Sequence, residues 1–507
     1  MAPAEPQPAT ASSPSDDLEH DGMPREPSLR GEAAAGARWT SVSVAVSGVA
    51  QIVQLVALTR LLSPGELGLA ASATVIIGLA GYLGDAGINN AIIAKQTTDR
   101  RILSSLYWAN LLVGVIVAGL VVASIPLATA AFDAPALAGL LLLAAPASIV
   151  VSLGQQFGVM LQKELRFKPL AAIESVSTIV GVAVAVAVAY NGGGATSVIA
   201  GYLAQAISSS MWLAIRGWST GRPHLRLRRS DLRGYLSFGL LQMGERVTNF
   251  LGSNLDYMLV GGFLGTRLLG VYSVAFRLVT IPQLRLNPII TRVAYPVFAR
   301  RRHDDAALCR GYLEVTRLVA FVSFPIMVGF AVTAPWLVPV VFGDQWEASI
   351  PVLQVLSIVG AFFSLSNPNG SVYLAKNRPD LGLKLNLFRL VLIVAVFVPA
   401  VDGGIVAVAW AFVAVVVVMF VVSRLVLRNL VGLSLRSYLQ ALQGPALCSA
   451  AMALTVLGAT PALEAGLSDP FVLLMQLVLA ATAYLACTAI FTRDWARQTW
   501  RLAFRGN

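Results

Sequence analysis

Apolar runs of about twenty residues recur along nearly the whole chain, and they constrain its fold more than any other feature. A helix of that length crosses a hydrocarbon core about 30 Å thick. Hydrophobic residues make up 56% of the chain and charged residues only 12%, whereas a soluble domain carries about twice that share of charge. We therefore predict an all-α polytopic membrane protein with about 14 transmembrane helices.

The basic residues are distributed unevenly between alternate loops. We place 29 of the 37 lysines and arginines in one set of loops and in the two terminal segments. The opposite set of loops holds two, Arg60 and Arg267. Because cytoplasmic loops carry the excess of cations, this asymmetry predicts that both termini lie in the cytoplasm. The net charge of +11 is then explained by the cations of the cytoplasmic loops, and we expect no nucleic acid as a partner.

A short motif is repeated six predicted spans apart, as LSPGELG at 62–68 and LGTRLLG at 264–270. The two copies run in the same direction, which predicts two pseudo-symmetric six-helix lobes related by an axis along the membrane normal. The predicted segments are a disordered cytoplasmic tail (1–34), an N-lobe with helices 1–6 (35–216), a basic cytoplasmic inter-lobe loop (217–234), a C-lobe with helices 7–12 (235–430), and helices 13–14 with a basic cytoplasmic tail (431–507).

The eighth predicted span carries arginines where hydrocarbon is expected. A charge at the centre of a bilayer costs at least about 3 kcal/mol, so such a residue normally faces a protein interior or a wet cavity. Arg285 and Arg292 share one face of the helix, and Arg277 lies about 80° around the helix from Arg285. Pro282 and Pro288 each remove a backbone donor and predict that this helix is broken.

Guanidinium groups fit phosphate oxygens bidentately, so an anionic headgroup is the ligand expected along this helix. The residues predicted to bind it are Arg285, Arg277, Arg246 and Arg292. For Arg292 the alternative is that the side chain snorkels to the cytoplasmic interface. For the others the alternative is a buried ion pair with a nearby acidic residue, namely Glu245, Asp256 or Glu314.

Two acidic residues lie within predicted spans of the N-lobe, Asp85 in the second span and Glu174 about one turn inside the fifth. Either position suits the binding of a coupling proton or sodium ion, and either equally suits a residue that pairs helices. Four aromatic residues near the predicted interfaces are interpreted as membrane-belt anchors: Tyr107, Trp108, Trp336 and Trp346.

Several kinds of chemistry lack their sequence patterns. Three cysteines and three histidines lie far apart, so we expect neither a metal site nor a disulfide framework. The chain has no G-x-x-x-x-G-K-[ST] loop, so we do not expect it to hydrolyse ATP itself. We expect no cofactor and no enzymatic activity.

Eight motifs between Gly36 and Lys376 occur together in one known family: GARW, GDAGINNAII, SLYWAN, GQQFGVMLQKELRF, IES, LRLNPIITRVAYPVFA, VPVVFGDQWEASIPVLQ and NPNGSVYLAK. The chain resembles the Wzx-type polysaccharide-transporter flippases of the multidrug/oligosaccharidyl-lipid/polysaccharide exporter superfamily, and most closely the colanic-acid-exporter-like branch. The resemblance begins near Gly36, so the N-terminal tail lies outside it.

The resemblance implies fourteen spans in two lobes around a central cavity, in the bacterial cytoplasmic membrane. It implies a flippase that moves undecaprenyl-pyrophosphate-linked oligosaccharides to the outer leaflet for exopolysaccharide, capsule or O-antigen assembly. Ion-coupled alternating access, driven by protons or sodium, is the implied mechanism. Polysaccharide polymerase and glycosyltransferase machinery are the further partners that it suggests.

The resemblance also bears on particular residues. The basic position of the family in its LNPIITR region falls on Arg285 and Arg292. In the GQQF–QKELRF segment the resemblance suggests that the pyrophosphate first meets three cations, Lys163, Arg166 and Lys168. Plain positive-inside topology is the alternative explanation of these three cations.

Two rival functions stay open. A drug or metabolite exporter could use the same scaffold, because a fold does not determine a substrate. A membrane scaffold that transports nothing would have no need for aligned buried cations. We prefer the flippase because the central spans carry an excess of arginine.

Overall fold

The computed structural model describes residues 29–84, 88–220, 222–300 and 303–491, and it leaves out the side chains of 29–35, 236–242, 284–297 and scattered other positions. These residues form helices and short connections, with no strand among them. The α-helices of the described chain are α1 Leu29–Leu61, α2 Pro64–Gly84, α3 Ile88–Ala94, α4 Arg100–Ala123, α5 Ile125–Ala131, α6 Leu137–Ala144, α7 Pro146–Lys163, α8 Phe167–Tyr190, α9 Thr196–Thr220, α10 Arg229–Leu232, α11 Tyr235–Arg300, α12 Asp305–Leu337, α13 Ser349–Ala375, α14 Pro379–Ala400, α15 Gly404–Val431, α16 Leu435–Glu464 and α17 Asp469–Phe491. A π-helical segment, Val338–Phe342, follows α12, and short 3-10 turns occupy Asp344–Trp346 and Val401–Gly403.

The helices form two lobes. Helices α1, α2, α4 and α6–α9 pack as the N-lobe, and α11–α15 pack as the C-lobe. Helices α16 and α17 pack on each other and against α12 on the flank of the C-lobe. Between the lobes, α2 packs along α11. The two-lobe all-α architecture is therefore confirmed, and the residue boundaries of the lobes stay a prediction.

Helix α11 folds back on itself at Gly265, whose φ of 83° and ψ of 169° are not helical. A positive φ of this kind suits glycine, which has no Cβ. We call the two halves α11a (235–264) and α11b (266–300). The fold-back brings Tyr257 of α11a against Tyr272 and Phe276 of α11b, with ring centroids 5.8 and 5.4 Å apart.

Twelve helical stretches of the described chain are long and apolar enough to cross a membrane. Two of these stretches contain a glycine with a positive φ, at which the helix is interrupted. Arg246–Gln283 includes the fold-back at Gly265, and Asp380–Val431 includes the 3-10 turn between α14 and α15. The chain is thus a multi-pass membrane protein, and the number of fourteen spans stays a prediction that rests on these two interruptions.

Polar side chains set the start of helices α2 and α4 in the N-lobe. The Ser63 N–H donates to Glu66 Oε2 at 2.8 Å, and the Glu66 N–H donates to Ser63 Oγ at 3.4 Å. This reciprocal pair is a capping box, which satisfies donors that the first turn of α2 would otherwise leave unpaired. At α4 the Asp99 carboxylate accepts from the Arg101 N–H at 2.8 Å.

Helix α11b runs without interruption through Pro282 and Pro288, so the prediction of a broken helix is wrong. Each proline removes only one backbone donor, and neighbouring helices compensate for such losses inside membrane proteins. Here α11b packs along α13, and the Gln283 side chain donates to the Gly360 carbonyl of that helix.

A buried arginine joins four helices of the C-lobe side. Arg424 of α15 is 7% exposed, and its Nη2 donates to Asn369 Oδ1 of α13 at 2.7 Å. Its Nη1 donates to the Tyr312 hydroxyl of α12. The guanidinium carbon lies 4.5 Å from the ring centre of Tyr438 in α16 and 5.0 Å from that of Phe420. Because rings and an amide surround it, our placement of Arg424 among the cytoplasmic loop cations is wrong.

We predict that Arg424→Ala lowers the free energy of unfolding by about 2–3 kcal/mol, because it leaves two buried hydrogen-bonding groups without their charged donor. Arg428 is one turn further along α15 and exposed, so Arg428→Ala is the matched control. Thermal unfolding of the purified protein in detergent measures both variants. Equal melting temperatures for the two variants would contradict the role assigned to Arg424.

Candidate functional site

The two ends of the bundle differ in chemistry. One end holds the turn between α1 and α2 and the fold-back of α11 at Gly265. We call it the turn end, and it is predicted to face outside. The opposite end holds the links between α3 and α4, between α7 and α8, and between α9 and α11, and arginines cluster in these links and in the helix turns beside them. We call it the basic end, and it is predicted to face the cytoplasm.

The C-lobe buries charged and phenolic side chains near the middle of its spans, and we call them the mid-span cluster: Asp256 and Tyr257 of α11a, Tyr272 and Arg277 of α11b, and Arg389 of α14. Asp256 is 2% exposed and accepts a hydrogen bond from the Tyr272 hydroxyl at 2.9 Å. The cation that acts on the Asp256 carboxylate is Arg389. The cluster therefore contains two arginines and one carboxylate.

Arg277 is half-buried, and its guanidinium lies within hydrogen-bonding reach of the Tyr257 hydroxyl. Among the described side chains it has no carboxylate partner within 4.0 Å. A guanidinium has five N–H donors, so one phenolic oxygen leaves most of them for water or for an anion. The described side chains thus favour the cavity interpretation of Arg277 over the ion-pair interpretation.

Arg389 is a member of the cluster that sequence reasoning missed. Its Nη2 lies 3.0 Å from the position that a Cβ on Gly252 would occupy, so it approaches α11a where that helix has no side chain. Its Nε is buried and has no hydrogen-bond partner among the described groups. The available signal was the presence of Asp256 and Arg389 inside two apolar spans, where each needs a charged or polar neighbour.

Of the other predicted headgroup ligands, only Arg246 has a described side chain, and it does not belong to the mid-span cluster. Arg246 is half-buried on α11a, about 15 Å along the helix from Asp256 toward the basic end. The side chains of Arg285 and Arg292 lie outside the described residues, although their backbone belongs to α11b. By helical rise they follow Arg277 by about 12 and 22 Å, so a ladder of arginines toward the basic end stays a prediction.

Of the two acidic coupling candidates, Asp85 lies outside the described residues. Glu174 is exposed on α8, and its Oε2 accepts a hydrogen bond from Ser43 Oγ of α1 at 2.9 Å. This contact matches the helix-pairing interpretation, and a coupling role for either residue stays a prediction. Of the proposed acidic partners for the arginines, Glu314 is exposed on α12, and the side chain of Glu245 lies outside the described residues.

Three cations are predicted to contact the headgroup before the others, and their side chains lie in different surroundings. Lys163 donates to the Thr97 carbonyl, and the Lys168 ammonium lies 5.3 Å from the ring centre of Trp39. Arg166 pairs with Glu164 at 3.7 Å and lines a cavity at the basic end of the N-lobe. The structure therefore does not bring them together as one site.

The two copies of the repeated motif meet between the lobes at the turn end. A Cβ on Gly68 would lie 1.6 Å from the Thr266 carbonyl oxygen, and a Cβ on Gly270 would lie 1.9 Å from the Pro64 carbonyl oxygen. Gly68 and Gly270 hold the same place in the two copies, and so do Pro64 and Thr266. The contact is therefore reciprocal, as a pseudo-two-fold axis requires, and it needs glycine on both sides.

Arg60 of α1 also contacts the C-lobe at the turn end. Its Nε donates to the Val341 carbonyl at 2.9 Å, and its Nη2 donates to the Pro339 carbonyl at 3.4 Å and to the Val340 carbonyl. These carbonyls terminate the helix that extends α12, where a cation also interacts favourably with the helix dipole. Arg60 thus links the two lobes, although its position in an outer loop predicted no partner.

Trp346 and Gln345 complete this contact on the α1 side. The Trp346 indole N–H donates to the Thr59 carbonyl at 2.8 Å, and the Gln345 side chain donates to the same oxygen at 2.7 Å. Trp346 is 0% exposed and Tyr107 is 6% exposed, so their interpretation as membrane-belt anchors is wrong. We call this set of residues the interlobe latch: Thr59, Arg60, Gly68, Gly270, Gln345 and Trp346.

The helices of the described residues define a two-lobe, multi-pass, all-α membrane protein. Residues 57–351 match the family described as "Polysaccharide biosynthesis protein". The chain belongs to this family.

Curated relatives cover most of the chain. The "Teichuronic acid biosynthesis protein TuaB" of Bacillus subtilis (strain 168) is 34% identical over 86% of this chain and 91% of its own length. The "Lipopolysaccharide biosynthesis protein WzxC" of Escherichia coli (strain K12) is 32% identical over 82% of this chain and 85% of its own length. The "Succinoglycan biosynthesis transport protein ExoT" of Rhizobium meliloti (strain 1021) is 28% identical over 63% and 64% of the two chains.

Solved structures share the fold at low sequence identity. A structure of the "Lipid II flippase MurJ, inward closed conformation" superposes with a TM-score of 0.73 at 14% identity, over 91% of this chain and 100% of that chain. An inward-facing multidrug resistance MATE transporter superposes with a TM-score of 0.58 at 14% identity, over 76% and 95% of the two chains. At these identities the likeness concerns the fold alone.

We predict that Gly68→Ala separates the lobes at the turn end, because a Cβ 1.6 Å from a backbone oxygen must move to an ordinary contact distance of about 3.5 Å. Gly65→Ala, in the same turn, is the matched control because its Cβ would meet nothing within 4 Å. Spin labels at positions 61 and 267, in a chain whose native cysteines are replaced, report the distance between the lobes.

The expected result is a distance distribution lengthened by about 2 Å in Gly68→Ala and unchanged in Gly65→Ala. Gly270→Ala should reproduce the lengthening from the other side of the pseudo-two-fold axis. A wild-type distribution in both Gly68→Ala and Gly270→Ala would show that the glycine contact does not hold the lobes.

Proposed function

We propose that the protein is a flippase that moves undecaprenyl-pyrophosphate-linked oligosaccharides from the cytoplasmic to the outer leaflet of the bacterial cytoplasmic membrane, for the assembly of exopolysaccharide, capsule or O-antigen. It performs no covalent chemistry, so it is a transporter and not an enzyme. Both termini lie in the cytoplasm, and polymerase and glycosyltransferase machinery are its functional partners.

Three observations support this function. The relatives are named for teichuronic acid, lipopolysaccharide and succinoglycan biosynthesis, and the last is named as a transport protein. The chain shares its fold over nearly its whole length with a protein named as a lipid II flippase. The mid-span cluster has more arginine than carboxylate, and this observation carries the proposal because it concerns the chain itself.

The proposed role of the arginines follows from electrostatics. An unpaired guanidinium in a membrane span is stabilised by water or by an anion, and a diphosphate supplies oxygens that match its planar donors. We assign the diphosphate to Arg277, with Arg285, Arg246 and Arg292 leading to it from the basic end. The sugars occupy the space between the lobes, and the polyprenyl chain stays in lipid.

The interlobe latch supports an alternating-access cycle for this transport. The latch joins the lobes at the turn end, so the path in this conformation is closed on the side predicted to face outside. Delivery to the outer leaflet requires the latch to open while the basic end closes. Proton or sodium binding drives the change, and Asp85 or Glu174 is the proposed site.

A multidrug exporter is the second candidate, because the fold is shared with MATE transporters. Such a pump for cationic compounds needs carboxylates in its cavity. The mid-span cluster instead holds two arginines around one carboxylate that already accepts a tyrosine hydrogen bond, so it favours an anionic ligand. Burying these cations in a membrane costs free energy, and a scaffold without transport activity has no function that requires them.

The proposal is tested with liposomes that contain the purified protein and a pyrophosphate-linked oligosaccharide in their inner leaflet. The proposal expects the glycan to become accessible to an externally added glycosidase faster than in protein-free liposomes. Equal rates with and without protein, in the presence of proton and sodium gradients, would contradict a flippase activity.

We predict that Arg277→Gln lowers the initial translocation rate at limiting substrate by about tenfold or more, because one charge-assisted contact contributes about 1.5–3 kcal/mol. Arg267→Gln removes the same charge from the exposed tip of the α11 hairpin and should leave the rate unchanged. If the two variants translocate the glycan at the same rate while the wild-type protein is active, the flippase activity is supported and the assignment of Arg277 is wrong.

A further inference from the structure

The N-lobe contains a cavity of about 460 Å³ at the basic end, which we call the N-lobe cavity. Its walls come from the start of α4, the ends of α7 and α9, and the segment that joins α9 to α11. Among its described lining residues none belongs to α11, so it is separate from the path that leads to the mid-span cluster. Its volume lies within the range of small-molecule sites, which is about 300–1,000 Å³.

Four guanidinium groups from four different chain segments line this cavity, namely Arg100, Arg166, Arg216 and Arg222. One carboxylate, Glu164, lines it as well and lies 3.7 Å from Arg166. The wall therefore has three more positive than negative charges. Positive-inside topology explains cations at this end of the bundle, but it does not require four of them around one cavity.

Gln156 also lines the cavity and joins two of its walls. It is 7% exposed, and its Nε2 donates to the Leu103 carbonyl at 2.9 Å, which connects α7 to α4 beside the cavity.

The inter-lobe segment is fastened to α4 beside the cavity. The Trp108 indole N–H donates to the His224 carbonyl at 2.9 Å, and the His224 N–H donates to Ser104 Oγ at 3.1 Å. Ser105 Oγ donates to Asp231 Oδ2 at 2.7 Å. This hydrogen bond, together with the one from Arg226, holds the pKa of Asp231 below its usual value, so the carboxylate stays charged near neutral pH.

These observations combine in one site. We propose that the N-lobe cavity binds a phosphate ester, held by Arg100, Arg166, Arg216 and Arg222. The ligand contacts α4, α7, α9 and the inter-lobe segment at once, so it fastens that segment to the N-lobe. The chemistry fits the phosphoglycerol headgroup of a membrane lipid and equally a soluble polyol or sugar phosphate.

The two sources are separated by two binding experiments on the full-length protein. In the first, native mass spectrometry counts the phosphatidylglycerol and phosphatidylcholine molecules retained from nanodiscs that contain both lipids. In the second, glycerol 1-phosphate and inorganic phosphate are titrated into protein in a zwitterionic detergent, and thermal stability is recorded. Retained phosphatidylglycerol supports the lipid source, and stabilisation by glycerol 1-phosphate without lipid retention supports the soluble source.

The variant for both experiments is Arg100→Gln/Arg222→Gln, and its control is Arg101→Gln/Arg228→Gln. The control removes the same charge from exposed neighbours in the same segments that do not line the cavity. We expect the lining variant to bind at least about tenfold more weakly and the control to match the wild type. Indistinguishable binding by the wild type and both variants in both experiments overturns the proposal. Since both readouts are binding and not translocation, their failure and the failure of the proposed flippase activity are distinguishable.

Discussion

The scarcity of carboxylates around buried guanidinium groups is the constraint on which the rest of this protein depends. The chain handles it in two ways. Arg424 is surrounded by an amide, a phenol and aromatic rings, and its two terminal nitrogens donate hydrogen bonds to the amide and the phenol instead of to a carboxylate. Among the described side chains, Arg277 has one phenolic partner, Tyr257, on the fold-back of α11. A fully enclosed arginine of the first kind stabilises the C-lobe, while a partly satisfied one of the second kind is suited to a ligand.

The interlobe latch connects this chemistry to movement. Its reciprocal glycine contact brings the backbone of α2 against the backbone of α11b, so the lobes close at the turn end with almost no side chain between them. Contacts of this kind are lost as soon as the helices separate, because they depend on a fit within a few tenths of an ångström. The hydrogen bonds of Arg60 and Trp346 to backbone carbonyls are lost in the same step. The latch is therefore suited to two states, one with the lobes in contact at the turn end and one with them apart. The pseudo-two-fold axis relates the two lobes that must move.

Much of the architecture could be predicted from the sequence. Apolar length predicted the polytopic helical fold, and the repeat at 62–68 and 264–270 predicted the two lobes and marked the point where they touch. Hydropathy does not show which side chains of a helix face its neighbours. Arg424 was therefore assigned to a loop, because it lies near the end of an apolar span. Trp346 was assigned to the membrane interface for the same reason, although it is fully buried. The site was harder to predict, because the closeness of Asp256 and Arg389 depends on the packing of α11 against α14, which are distant in sequence. The continuity of α11b through two prolines depends likewise on packing against α13.

The most direct test of the central claim is the binding of a diphosphate lipid to the mid-span cluster. Thermal stability of the purified protein would be measured with undecaprenyl pyrophosphate and with undecaprenol, which has the same chain without the charges. The account predicts stabilisation of the wild type by the diphosphate alone, and loss of most of that stabilisation in Arg277→Gln but not in Arg267→Gln. Equal stabilisation by the two lipids, or an Arg277→Gln variant that responds like the wild type, would contradict it.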